Sequence, residues 1–83
     1  MIRVLYFSWL RERVGAGSEE IDPGPATTAA ELVRELAGRD PRYAAAFEDL
    51  TAVRVAIDQQ MVDLDASITG AREVAFFPPM TGG

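Results

Sequence analysis

The sequence contains no cysteine, no histidine and no lysine. Without cysteine there are no disulfides, no thiolate metal sites and no thiol nucleophile. Without histidine no side chain titrates naturally near neutrality, and the usual proton shuttle is missing. Triads built on histidine or cysteine, and Schiff-base lysines, are excluded at the same time. What is left for chemistry is a carboxylate pair, a metal held by oxygen ligands alone, or the chain ends. Long apolar runs are absent too, and nothing approaches the roughly 20 residues that a helix needs to cross a bilayer. The run from Arg3 to Leu10 faintly resembles a signal peptide, but it is short, and Arg11-Glu12-Arg13 stands where a small-residue cleavage site belongs. A cytoplasmic protein without membrane contact is expected, and an ordinary self-contained enzyme is not.

The basic residues are eight arginines against thirteen acidic residues, a formal net charge of −5 over 83 residues. An acidic surface argues against nucleic acid as the main partner, because phosphate binding needs a basic patch. The hydrophobic fraction of 48% is that of a folded globule rather than a disordered acidic tail. The length allows one small domain, expected over residues 1–79, followed by a flexible tail over 80–83.

Residues 2–8 are rich in β-branched and aromatic types and predict a strand with apolar side chains on both faces, hence a central one. Trp9 to Val14 predicts a helical turn closed by Gly15 in a left-handed conformation. Ser18 to Asp22 predicts a second short strand, stopped by Pro23-Gly24-Pro25. Thr28-Ala29-Ala30-Glu31 has capping-box spacing, and Ala29, Leu32, Val33 and Leu36 share one face of the helix behind it, which Gly38 is expected to end. A further short helix is expected from Pro41, carrying Tyr43, Ala44 and Phe47 into the core. Val53, Val55 and Ile57 alternate with Ala52, Arg54 and Ala56 as in a half-buried strand. Asp58-Gln59-Gln60 predicts a turn, Met61-Val62 a brief strand, and Arg72 to Phe77 the last strand, stopped by Pro78-Pro79. Two strands before the helices and three after them predict an α+β sheet with its helices on one face, and the first and last strands can lie side by side in its centre. This is the β-grasp arrangement, although the order alone also fits other small α+β folds.

Four candidate sites arise from these residues. Asp58, Asp63 and Asp65 lie close in sequence but lack the spacing, the turn glycine and the closing glutamate of a calcium loop, and read as solvated turn residues; Glu19-Glu20 and Glu48-Asp49 read as surface charge. No metal site is expected. Arg11 and Arg13, flanking Glu12, are able to orient a partner, though exposed helix-surface charge explains them as well. The aromatic pairs carry more information. Successive strand residues face opposite ways, so Phe76 and Phe77 cannot both enter the helix-covered core, nor can Tyr6 and Phe7. If the helices cover only one face, the surplus aromatics form an exposed apolar patch, the usual mark of a protein interface; the alternative is that the second short helix or a loop covers them. Beyond them, Pro78-Pro79 keep Met80-Thr81-Gly82-Gly83 extended, with a reach of roughly 20 Å for the six residues after Phe77. Two glycines without Cβ atoms are able to enter a narrow channel.

The element order, the length, the opening Ile2-Arg3-Val4-Leu5-Tyr6-Phe7, the Arg11-Glu12 then Gly15 pattern and above all the ending Val74-Ala75-Phe76-Phe77-Pro78-Pro79-Met80-Thr81-Gly82-Gly83 resemble the small subunits of molybdopterin synthase, a ubiquitin-like sulfur carrier family. The resemblance covers essentially the whole chain, and Phe-Phe-Pro-Pro before Thr-Gly-Gly is its most specific part. It implies a β-grasp fold with no bound cofactor. It also implies that a ubiquitin-activating-type adenylyltransferase uses ATP to adenylate the Gly83 carboxylate, and that a sulfurtransferase system converts the adenylate to a thiocarboxylate. The tail, Thr81 and Gly82 included, then inserts into the large synthase subunit, within a complex of two small and two large subunits. There its sulfur passes to cyclic pyranopterin monophosphate, in molybdenum cofactor biosynthesis.

The residues fit this scheme. With no thiol in the chain, carried sulfur has the terminal carboxyl group as its seat, and the missing lysines leave no side-chain amine to capture an activated Gly83. The positions matching the family's docking surface are Phe7, Met61 and Phe77, joined as interface candidates by Met80 and Arg11. Asp58 stands where the family commonly has Asn, Gly70-Ala71-Arg72 replaces an Asp-Gly-Asp turn, and Met80 replaces Val. Carriers for thiamine or cysteine synthesis share the Gly-Gly but generally lack the Phe-Phe-Pro-Pro. A protein modifier joined to target lysines, or an interaction module with an inert tail, are the alternatives of a different class.

Overall fold

The computed structural model describes residues 1–79. The chain runs β1 (Ile2–Tyr6), α1 (Trp9–Val14), β2 (Ser18–Ile21), α2 (Ala29–Arg39), α3 (Pro41–Ala46), a 3₁₀ turn (Leu50–Ala52), β3 (Arg54–Ile57), β4 (Gln60–Val62) and β5 (Glu73–Phe77). The strands form one five-stranded sheet in the order β2-β1-β5-β3-β4. β1 and β5 pair in parallel, with Val4 opposite Val74 and Tyr6 opposite Phe76, and the other pairings are antiparallel. This is the expected β-grasp, with the first and last strands adjacent in the middle.

The core lies between the helices and one face of the sheet. Val4, Tyr6, Val55, Val74 and Phe76 point into it from the strands and meet Leu10, Leu32, Leu36 and Phe47. Each large apolar side chain withdrawn from water there contributes about 1.5–3 kcal/mol before ordering costs. Phe47 packs edge-on against Phe76 with ring centroids 5.0 Å apart. In α3 the inward positions are Tyr43 and Ala46, with Phe47 closing the helix; Ala44 faces solvent, one position out of step with the expected face.

Two local expectations change. Gly38 does not end α2, which continues to Arg39. The break is set by Pro41, whose ring forces Asp40 into an extended conformation, so that Asp40 ends α2 and caps α3 by accepting from the Arg42 amide at 2.8 Å. That amide and the Arg42 guanidinium hold the Asp40 carboxyl below its usual range. At the start of α2, Thr28 Oγ1 accepts from the Glu31 amide at 3.1 Å as expected, but the Glu31 carboxylate reaches back to Thr27, taking its hydroxyl at 2.7 Å and its amide at 2.8 Å. The remaining free amides of this helix end, on Ala29 and Ala30, donate to the Ala66 and Leu64 carbonyls at 3.1 and 2.7 Å, which ties α2 to the loop before β5.

Glu19 is a structural residue, not surface charge. On β2 it shares the inward face with Ile21, and one carboxylate oxygen, Oε2, accepts from the Tyr6 hydroxyl at 3.1 Å and the Tyr43 hydroxyl at 2.6 Å. Both phenols would otherwise be stranded at the edge of the core. Burial, followed by the charge of Glu19, drives the Tyr6 pKa far above its ordinary value, and burial with the Glu19 hydrogen bond pushes Tyr43 up to about 12. A raised phenol pKa means that the folded state holds its protons more tightly than the unfolded chain. The resulting stability is complete below the unfolded value near pH 10 and is lost as pH rises beyond it. With lysine and cysteine absent, these are the only side chains whose ordinary titration falls between about pH 8 and 12. Urea denaturation from about pH 8 to 11 is therefore expected to show stability falling above about pH 10, with the fall reduced in Tyr6→Phe. Glu19→Ala is expected to cost about 2–3 kcal/mol at neutral pH by the same measurement.

Candidate functional site

The sheet face turned away from the helices carries the candidate site. Tyr6 fills the core, so its neighbour Phe7 must point the other way, and it is 49% exposed. Its amide donates to the Phe76 carbonyl at 3.1 Å, which continues the parallel ladder one residue beyond β1. Phe76 is fully buried and Phe77 is half-buried on the open face, abreast of Phe7. Leu5, Phe7, Ala75, Phe77, Pro78 and Pro79 line most of a shallow groove of about 510 Å³, with Ala56, Gln59 and Glu73 completing it. The groove begins where the chain leaves β5. Its lining offers apolar contact and a single carboxylate, so it suits docking rather than acid–base chemistry.

The sharp corner after β1 is what presents Phe7. Ser8 turns the chain directly into α1 with φ 59° and ψ −134°, a region that favours glycine, and its side chain makes no capping hydrogen bond. Its carbonyl accepts from the Arg11 amide at 3.1 Å, and Leu10 and Val14 then bury the inner side of α1. Gly15 closes the helix in the left-handed conformation, as expected, at φ 87°.

The other described candidates, Met61 and Arg11, are not part of its lining. Met61 is 68% exposed on the edge strand β4, opposite Ala56 in register and so on the same face, but it stands beside the groove rather than in its lining. Arg11 is exposed and lies over Gly17, the residue before β2, where a Cβ would come within 3.3 Å of its Nε. Met80, Thr81, Gly82 and Gly83 lie outside the described residues, as does the expected tail over 80–83. Among the described residues no group of three or more acidic, histidine or cysteine side chains is placed to hold a metal. No helix among them is long and apolar enough to cross a membrane.

Asp58 is more than a solvated turn residue. It and Gln59 form the two-residue turn between β3 and β4, both with positive φ, and the Asp58 carboxylate accepts from the Arg72 and Glu73 amides at 3.0 Å each. Its own amide donates to the Glu73 carbonyl at 3.0 Å, so the hairpin end is fastened to the start of β5. An asparagine here would offer the same acceptor oxygen, so the tie to β5 does not depend on the charge of Asp58. Sequence reasoning also passed over Arg54. It stands opposite Phe77 in the β3–β5 register, on the open face, and the alternation Val53-Arg54-Val55 already placed it away from the core.

Comparison with known proteins is consistent along the whole chain. Residues 4–83 match the ThiS family. The chain belongs to that family. It is 41% identical over 83 residues to the molybdopterin synthase sulfur carrier subunit of Escherichia coli, covering all of both chains. It is 39% identical over 84 residues to the protein of the same name from Haemophilus influenzae, again over the full length of both. Among solved structures, SAMP1 from Haloferax volcanii superposes with a TM-score of 0.73 at 22% identity, covering 99% of this chain and 98% of that one. That likeness supports the fold.

In this member of the ThiS family, the strained corner carries a direct expectation. Ser8→Gly removes a side chain from a backbone conformation that costs about 1–3 kcal/mol for ordinary residues, and no Ser8 side-chain hydrogen bond is lost. The variant is expected to be about 1 kcal/mol more stable in urea denaturation, since glycine's greater unfolded-state freedom offsets part of the relief.

Proposed function

We propose that the chain is the sulfur carrier subunit of a molybdopterin synthase. The observation that carries this reading is its full-length similarity, at about 40% identity, to two proteins so named. The Thr81-Gly82-Gly83 ending and the apolar groove at the exit of β5 support it. In this reading the reactive group is the Gly83 carboxylate. A carboxylate is a poor electrophile; adenylation with ATP by a partner enzyme turns it into an acyl-adenylate, and a sulfur nucleophile supplied by a sulfurtransferase displaces AMP to leave a thiocarboxylate. The large synthase subunit receives the tail, and the thiocarboxylate sulfur passes to cyclic pyranopterin monophosphate during molybdenum cofactor biosynthesis. The catalytic acids and bases belong to the large subunit, because this chain has no histidine, cysteine or lysine. The setting is the cytoplasm, where ATP is available to the activating enzyme.

Docking uses the open face, with Phe7 and Phe77 seated in the partner, Met61 as an adaptable side contact, and Arg11 and Met80 at the margin. The tail follows Phe77 directly, so seating this face fixes the point from which Gly83 reaches inward.

The intact mass of the chain, purified from its native host without reductive workup, tests the carrier chemistry. One oxygen exchanged for one sulfur at Gly83 is the expected result. An unshifted free chain, or one found mainly joined to other proteins, overturns the reading. Docking is tested by titrating the large subunit with Phe77→Glu. A half-exposed position accepts the carboxylate without unfolding, so binding is expected to weaken more than about tenfold while the thermal transition stays cooperative; unchanged affinity refutes the assigned face.

A further inference from the structure

We propose that Arg54 selects the docking partner by requiring a carboxylate on the partner surface that covers Phe77. The proposal rests on the docking reading above and adds to it a residue and a chemical demand.

Among the described residues Arg54 is the one charged residue paired directly with Phe77, which it faces across the β3–β5 register on the open side of the sheet. It is exposed, and among the described residues it has no carboxylate within ion-pair distance; Arg3, Arg39 and Arg42 each have one, while Arg11, Arg13, Arg34 and Arg72 do not. Its guanidinium is nevertheless held in place: Nη1 donates to the Thr51 and Val53 carbonyls at 3.2 and 3.3 Å. Nε and Nη2 make no hydrogen bond to the described residues.

A partner that covers Phe77 also strips water from its register neighbour. Desolvating a guanidinium without compensation costs more than covering one phenylalanine returns. A neutral carbonyl accepts a hydrogen bond but leaves the charge unbalanced. A carboxylate satisfies both free donors, in the forked geometry that arginine favours. The chain's net charge of −5 repels acidic surfaces in general, yet screening at about 8 Å in physiological salt makes the local cation decide the contact.

The test compares Arg54→Gln with Arg34→Gln by titrating each into the large synthase subunit at several salt concentrations. Arg34 is exposed on α2, on the helix side, so its replacement makes the same change in net charge away from the docking face. Arg54→Gln is expected to bind about tenfold more weakly near 50 mM salt, with the deficit shrinking at about 0.5 M, while Arg34→Gln binds as the parent does. Arg54→Lys is expected to recover part of the loss, since it restores the charge without the fork. Equal affinity of the Arg54→Gln and Arg34→Gln variants at every salt concentration overturns the proposal. Phe77→Glu, measured alongside, separates the two readings. If it loses binding while Arg54→Gln does not, the docking face stands and only the carboxylate demand falls; if both bind normally, the docking face falls with it.

Discussion

The parallel pairing of β1 with β5 is the constraint on which the rest of the molecule depends. Helices cover one face of this central pair, so the two-residue period of a strand assigns every side chain to core or open face. Tyr6 and Phe76 go inward and Phe7 and Phe77 outward, and neither outcome is available without the other. Because the strands run in the same direction, they leave the sheet at the same end. The outward phenylalanines therefore lie abreast, and the chain after Phe77 starts beside the groove they line. An antiparallel pairing would have sent the tail off at the opposite end, away from Phe7.

The helix side makes that arrangement rigid. Glu19 ties β2 to both β1 and α3 through two phenol hydroxyls, and the free amides at the start of α2 are taken up by the loop that leads into β5. Asp58 fastens the β3–β4 hairpin to the first residues of the same strand. No buried side-chain nitrogen or oxygen among the described residues lacks a partner. Three separate polar anchors thus converge on the neighbourhood of β1 and β5. A fully satisfied interior of this kind holds one packing arrangement and keeps the open face in a fixed shape.

Much of this was legible in the residues. The strand alternation, the Thr28 cap, the apolar face of α2 and the division of the aromatic pairs all follow from local periodicity, and the structure agrees. The role of Glu19 was legible in principle: Ile21 is the inward residue of β2, and a period of two carries Glu19 inward with it. Two adjacent glutamates hid the signal, because a pair of acidic residues reads as surface unless the strand's orientation is followed through. The end of α2 turned on which of two breakers dominates. Gly38 tolerates a helical conformation at modest cost, whereas Pro41 forbids one to the residue before it, so the proline sets the boundary. Asp58 was not legible, since its partners lie 14 and 15 residues away in sequence and are backbone amides, which no side-chain pattern announces.

The absences that open the sequence and the face that closes the structure belong to one argument. A carrier of an activated acyl group must not consume its own cargo, and the side chains best able to do so are thiols, imidazoles and primary amines. None occurs here, and all eight basic residues are arginines, whose guanidinium stays protonated and is a poor nucleophile. The same choice serves recognition. Lysine at position 54 would supply charge beside Phe77 and also a nucleophile near the base of the tail; arginine supplies the charge, adds a planar fork for a carboxylate, and in the proposed role offers an activated Gly83 no side-chain amine. In the proposed role, inertness toward the tail and selectivity toward the partner are met by one residue type.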